Sequence, residues 1–243
     1  MLPEFILKEE RTDNFPLLFV LGFFCSVAGF LAASRLFPSE SSVMAVVFAS
    51  IPLVYPLTTK FLADEGSQGD SYFEEIELYG ALFTGQALGF TLISLVRPSA
   101  FSLQADVAGV SGRAVAEGLF VQVLSNNLAV FTGILAVSAI IGSAGAFILV
   151  WNASVLGKFF ASLLENLKGL EVLTGNSQVA APVAYVPHAT LEMTGFIIAG
   201  ISGSMISAAV YREHFDKETW IDIVKLVLAG LGCVLLGALL ETA

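Results

Sequence analysis

Long apolar stretches alternate with short polar segments along most of the chain, and this pattern predicts helices that cross a membrane. A helix that crosses the hydrocarbon layer of about 30 Å needs about 20 apolar residues. Six crossings would place both termini on the same side of the membrane. The pattern predicts an all-α, polytopic integral membrane helical bundle, a single membrane domain over residues 1–243, with spans at 16–36, 43–62, 78–96, 127–151, 188–210 and 220–240.

Two segments do not fit simple crossings. In 99–126, Asp106, Arg113 and Glu117 share one narrow stripe of a helix and most other residues are apolar or small, which predicts an interfacial or re-entrant helix. The apolar character of the fourth span continues to Leu164, which is too long for one crossing. We therefore expect that helix either to emerge far from the bilayer or to break near 151–153, with an extra half-helix at 153–165.

The composition supports a membrane protein and excludes several functional classes. Of the 243 residues, 56% are hydrophobic and 13% are charged, whereas soluble domains carry about 25% charged residues. The net charge of −10 argues against a nucleic-acid partner and against charge-driven binding to anionic lipid. The expected location is the cell membrane, as a multi-pass protein with the lipid bilayer as its partner. Lys and Arg counts near the span ends are equal on the two sides and do not decide the orientation.

Small residues recur at a spacing of four, which predicts close contacts between helix backbones. Such contacts form either within one chain or between two copies, so a homodimer is an alternative to packing inside the monomer. The residues expected at these contacts are Gly85, Gly89, Gly142, Gly145, Ala199, Gly200 and Gly203.

A histidine and a glutamate lie close together at the start of the fifth apolar stretch. Pro187 is well placed to start a helix, and His188 and Glu192 then lie one turn apart on the same face. Such a pair can bind a metal, relay a proton or hydrogen-bond a neighbouring helix. Because two ligands are only half of a metal site, we assign no cofactor and keep a metal at His188 and Glu192 as an alternative.

Further polar side chains lie in the fourth apolar stretch. Asn126 and Asn127 stand at its start, where one can cap the helix and the other can bond across helices. Asn152 and Ser154 lie at the predicted break. There they either satisfy freed backbone groups or contribute to a substrate site of the kind that broken helices form in transporters. With the histidine–glutamate pair, these four side chains form the predicted buried polar cluster.

The sequence carries no motif that identifies an enzyme. It has no glycine-rich loop followed by Lys-Ser/Thr, no His-Glu-x-x-His and no Gly-x-Ser-x-Gly. Glu241 lies near the end of the chain and is interpreted as a residue without a functional role. We therefore predict no catalytic residues.

Three stretches of the chain carry a resemblance to a known family. They are 126–128 leading to 142–157, His188 and Glu192 followed by 199–207, and the N-terminal region with Phe37-Pro38 between two spans. In these stretches the chain resembles the stage II sporulation protein M family, in its archaeal-type integral membrane branch. The family usually has Gly after the histidine, and the archaeal branch often has Pro before the glutamate, where this chain has Ala189 and Leu191.

The resemblance implies an all-helical integral membrane protein. The bacterial namesakes act in engulfment during sporulation, in a complex with peptidoglycan hydrolases. The leading hypothesis is a non-catalytic integral membrane scaffold or complex subunit in envelope or membrane remodelling, with a second copy or another membrane protein as partner. The alternatives are a small-molecule or ion transporter or channel that uses the buried polar cluster, and an intramembrane metal-dependent enzyme.

Overall fold

The computed structural model describes residues 14–64, 72–105, 119–169, 186–213 and 217–242. Every regular element in these ranges is helical, which confirms the prediction of an all-α bundle. Short 3-10 helices at Pro38–Glu40, Pro98–Phe101 and Gly142–Gly145 follow the first, third and fourth long helices. The long helices of the described chain are α1 Phe15–Leu36, α2 Ser41–Asp64, α3 Tyr72–Val96, α4 Leu119–Ile141, α5 Ala146–Gly169, α6 Val186–Tyr211 and α7 Lys217–Thr242.

Five segments of the described chain are long and apolar enough to cross a membrane. Their outward faces carry large apolar side chains, such as Phe24 on α1 and Leu228 on α7, which are 60% and 63% exposed. These faces suit contact with lipid, because water would penalise so much exposed apolar surface. By length and composition, the candidate spans are Phe15–Leu36, Glu75–Val96, Phe120–Glu165, Val186–Tyr211 and Lys217–Thr242, with a shorter apolar segment at Pro38–Val54.

The predicted break near 151–153 is wrong, because the chain turns ten residues earlier. α5 runs without interruption through Trp151 and Asn152, so the predicted half-helix at 153–165 is part of a longer helix. The break is the 3-10 turn Gly142–Gly145, where Gly142 has a φ of 64°. That left-handed conformation costs a non-glycine residue about 1–2 kcal/mol, which explains why a glycine ends α4. The predicted span 127–151 is therefore divided between two helices.

The predicted interfacial helix at 99–126 lies partly outside the described residues. Asp106, Arg113 and Glu117, which defined its polar stripe, fall in that undescribed part. Residues 119–126, by contrast, are the first two turns of α4. Neither Asn126 nor Asn127 caps a helix, because α4 begins at Leu119.

The first three helices and α5 form one half of the bundle. A side chain on Gly29 of α1 would meet the backbone of Ala45 and Ala49, so α1 and α2 pack closely as a hairpin. Gly22 faces Leu82 and Ser26 faces Gly89, so α3 runs parallel to α1. On the other side of α3, Gly157 of α5 would meet the backbone of Ala87 and Thr91. Glycines thus set the close spacing of this half.

Helices α4, α6 and α7 form the other half. Asn127 contacts Glu192, and Gly203 faces Leu135, so α4 and α6 run parallel. Gly195 faces Gly230 and Gly237 faces Glu192, so α7 is antiparallel to α6.

The turn between α4 and α5 is a hairpin that joins the two halves. Gly145 lies against Ile134, and Gly133 faces Ile148, so α5 folds back along the end of α4. It follows that α1, α3, α5 and α7 run in one direction and α2, α4 and α6 in the other. The start of α1 and the end of α7 therefore lie at opposite ends of the bundle, unlike the six-span prediction of termini on one side.

Candidate functional site

A hydrogen bond between two membrane helices is the centre of the candidate site. The Nδ2 of Asn127 on α4 donates to the Oε1 of Glu192 on α6 at 2.5 Å. Both side chains are buried, with 7% and 9% of their surface exposed. Hydrogen bonds between membrane helices contribute about 0.6 kcal/mol on average and up to about 1.7 kcal/mol. The pair therefore fixes α4 against α6.

Two neighbouring polar residues extend this contact. The Nδ2 of Asn126 donates to the Oδ1 of Asn127 at 3.3 Å, and Asn126 itself lies at the exposed edge of the helix. His188 is buried and lies one turn before Glu192 on α6. The structure therefore brings together four of the six side chains of the predicted cluster.

Helix α7 closes the cluster from the other side. A Cβ on Gly237 would come within 2.7 Å of the Cγ of Glu192 and 3.2 Å of the backbone oxygen of His188. One turn further along α7, the carboxyl group of Glu241 lies near enough to Glu192 for the two charges to interact. We call Asn126, Asn127, His188, Glu192 and Glu241 the carboxylate cluster.

Sequence reasoning missed Glu241, which it interpreted as a residue without a role. The signal was the spacing of Gly237 and Glu241, which places a small residue and a carboxylate on one face of a helix. A small residue lets two backbones approach, so the polar side chain one turn away faces the same neighbouring helix.

Asn152 and Ser154 belong to a different part of the bundle. The Nδ2 of Asn152 donates to the backbone oxygen of Ile148 at 2.8 Å, and the Oγ of Ser154 donates to that of Trp151 at 2.7 Å. Both bonds stay within α5, which packs mainly on α3 and α2. These side chains satisfy their own helix instead of joining the carboxylate cluster.

The small residues proposed for helix packing lie at contacts within this chain. Gly85 and Gly89 face α1, and Gly203 faces α4 with its Cβ position 2.5 Å from the backbone oxygen of Leu135. Gly145 faces Ile134 and Ser138, whereas Gly200 has looser contacts at 3.5 Å or more. Ala199 is fully buried and Gly142 forms the turn.

A second group of polar side chains surrounds the turn between α4 and α5. The hydroxyl of Tyr79 on α3 is within hydrogen-bonding reach of Ser143 in the turn and Ser204 on α6. Ser138 on α4 contacts Gly145, and a Cβ on Gly203 would lie 2.5 Å from its Cβ. We call Tyr79, Ser138, Ser143 and Ser204 the turn cluster.

The turn cluster could hardly be predicted from the sequence, because serine and tyrosine are common in apolar spans. The turn was visible only as the glycines at 142 and 145, which were interpreted as packing residues. Irregular backbone at membrane depth is tolerated only where protein or a water-filled cavity surrounds it. All four residues of Gly142–Gly145 are buried, as this rule requires.

Among the residues that the structure describes, no group of three or more His, Cys, Asp or Glu side chains lies close enough together to hold a metal ion. The structure thus provides no third ligand of this kind, within those ranges, for His188 and Glu192.

Comparison with known proteins gives one match. The family model of Stage II sporulation protein M matches residues 17–243, nearly the whole chain and all of the described helices except the first residues of α1. No curated protein and no solved structure matches the chain. The matched region contains both the carboxylate cluster and the turn cluster.

Proposed function

This chain belongs to the stage II sporulation protein M family, and from that premise we propose that it is a non-catalytic membrane scaffold or complex subunit. The observation that carries the proposal is the hydrogen bond from Asn127 to Glu192. In hydrocarbon a charged side chain calls for a compensating partner. Here a neighbouring helix supplies that partner, and the pair acts as a connection between helices.

The packing of the small residues supports the same proposal. Gly85, Gly89 and Gly203 are used for contacts inside one chain. The bundle thus has a rigid interior with outward faces for lipid and for other membrane proteins. We propose a place in the cell membrane, membership of the archaeal-type branch of the family and a role in envelope or membrane remodelling. A homodimer remains a prediction.

A cysteine accessibility experiment tests the structural role of the cluster. The native Cys25 and Cys233 are replaced by alanine, and Glu192→Cys is treated with a charged, membrane-impermeant thiol reagent in folded protein. We expect no labelling until the protein is unfolded, because α4 and α7 cover position 192. Arg212→Cys is the control, since Arg212 is exposed and lies between the candidate spans Val186–Tyr211 and Lys217–Thr242, and it should react.

The partner is tested separately. Solubilised from native membranes in mild detergent, the 25.7 kDa chain should migrate in a larger complex with a second component in fixed ratio. A monomer in native extracts, together with rapid labelling of Glu192→Cys, would contradict the scaffold proposal.

A transporter or channel is the second candidate, and one specific observation favours it. Glu192 and Glu241 bring two carboxyl groups close together on facing helices. Intramembrane carboxylates mark ion and proton pathways in many transporters. This function predicts that Glu192→Cys reacts at a rate similar to Arg212→Cys in the folded protein, and that Glu241→Gln abolishes an ion flux in proteoliposomes.

A further inference from the structure

The turn between α4 and α5 has the features of a small cation site. Four hydroxyl groups from α3, α4, α6 and the turn lie around Gly142–Gly145, which is fully buried. Ser204 lies seven residues before the end of α6, so the turn lies about 10 Å inside the bundle end at 1.5 Å per residue. Hydroxyl groups in such a place need partners, because hydrocarbon offers none.

One of these hydroxyl groups stands out. The Oγ of Ser138 is buried, with the residue 1% exposed, and has no hydrogen-bond partner among the described residues. Ser138 lies against Gly145 and Gly203, so its side chain points into the space between the turn and α6. A buried hydroxyl group without a hydrogen-bond partner destabilises the folded state. A bound group that accepts its lone pairs would offset this cost.

The other polar groups around the turn indicate the sign of the charge of the ligand. Ser204 donates its proton to the backbone oxygen of Gly200 at 2.9 Å, so its oxygen lone pairs are directed away from its own helix. The α4 helix ends at Ile141, and the C-terminal end of a helix carries a partial negative charge. Glu75, one turn before Tyr79, acts on the Tyr79 hydroxyl through its charge. Helix α5 begins at Ala146, and its N-terminal end carries a partial positive charge that offsets the charge at the end of α4. The sign of the ligand therefore follows from the oxygen donors, which favour a hard cation.

We propose that the turn cluster binds a small monovalent cation, with Na⁺ as the probe. The donors are neutral oxygen atoms beside an interruption between two helices, as in other membrane proteins that hold Na⁺ beside an unwound segment. The site is about 18 Å along α6 from Glu192, at 1.5 Å per residue, and is independent of the scaffold proposal. Bound Na⁺ would hold α3, α4 and α6 together at the turn.

Thermal stability in matched salts tests this proposal. The purified protein is melted in NaCl and in choline chloride at equal concentration. A ligand that binds only the folded state raises the melting temperature with concentration. We expect the melting temperature to rise in NaCl, and to keep rising with the logarithm of the NaCl concentration above the Kd. In choline chloride we expect no such rise. Equal melting temperatures in the two salts would overturn the proposal.

Two substitutions separate binding from a general salt effect. Ser138→Ala should lose the Na⁺ dependence and melt no lower than the wild type in choline chloride, because it removes an unpartnered buried hydroxyl. Ser202→Ala is the control, since Ser202 is equally buried but bonds the backbone oxygen of Ile198 at 2.8 Å. It should keep the dependence. Retention of the full Na⁺ effect in Ser138→Ala would overturn the site.

A direct measurement covers the case in which Ser138→Ala does not fold. Wild-type protein should bind radioactive ²²Na⁺ with a stoichiometry near one per chain, displaced by unlabelled NaCl but not by choline chloride. Tyr79→Phe keeps the aromatic ring and should weaken this binding at least several-fold. The absence of displaceable ²²Na⁺ from folded wild-type protein would refute the proposal.

Discussion

The hydrogen bond between Asn127 and Glu192 permits a quantitative test. Replacing Asn127 with alanine removes the donor and leaves a buried carboxyl oxygen unpaired. Such a loss costs about 1–3 kcal/mol. Hydrogen bonds between membrane helices measured by double-mutant cycles average about 0.6 kcal/mol and reach about 1.7. Because the acceptor is a carboxylate, we expect a coupling near the upper end of that range.

The assay is a double-mutant cycle with Glu192→Leu, a change that removes the acceptor and keeps an apolar side chain of similar size. Unfolding is followed by circular dichroism as the mole fraction of sodium dodecyl sulfate rises in mixed micelles. Asn127→Ala should destabilise the wild type by about 1–3 kcal/mol and the Glu192→Leu protein by much less. In the Glu192→Gln protein, Asn127→Ala should have an intermediate effect, because the amide oxygen still accepts from Asn127 but carries no charge.

Asn152→Ala is the matched control for this cycle. Asn152 bonds within its own helix and lies in the other half of the bundle. Its effect should be the same in both backgrounds, since distant sites add independently. The reasoning fails if Asn127→Ala costs equal amounts with and without Glu192, within about 0.3 kcal/mol.

Three further predictions follow from the glycines and from the placement of α7. Gly142→Ala should lower the free energy of unfolding by about 1–2 kcal/mol, because residue 142 has a φ of 64°. Gly80→Ala in α3 has open space around it and should leave the free energy of unfolding unchanged or raise it in the same assay. Gly85→Ala would overlap the backbone oxygen of Phe19 and should lower the free energy of unfolding by about 1–3 kcal/mol. Gly232→Ala on α7, which has open space around it, should have little effect. Equal melting temperatures for the two variants would contradict the close contact between α1 and α3. Gly237→Val should separate α7 from Glu192 and make Glu192→Cys reactive in the labelling experiment, whereas Gly232→Val should leave it protected.

Much of the fold could be predicted from the sequence, because spanning helices leave long apolar stretches of nearly fixed length. The position of the break could not. Asn152 looked like an interruption, yet it bonds the backbone oxygen of Ile148 and continues its helix. The real turn at Gly142–Gly145 is made of small residues that do not lower the hydropathy of the stretch. Backbone conformation, not polarity, ends α4.

The candidate site could be predicted only in part, because most of its contacts join helices that are far apart in the sequence. His188 and Glu192 are one helical turn apart, so their proximity follows from local geometry. Asn127 is 65 residues from Glu192 in the sequence, and only the parallel packing of α4 and α6 brings them together. Glu241 joins them because Gly237 lets α7 approach. Tertiary contacts of this kind leave no periodic signal in one sequence.

The chain folds back at Gly142–Gly145, which makes α4 and α5 two separate, antiparallel helices. The direction of every long helix from α1 to α7 then places the two described ends of the chain at opposite ends of the bundle. Protease-protection of short epitope tags on the two termini, in sealed membrane vesicles, measures this directly. The hairpin predicts that one tag is digested and the other protected until the vesicles are opened. Digestion or protection of both tags together would contradict it.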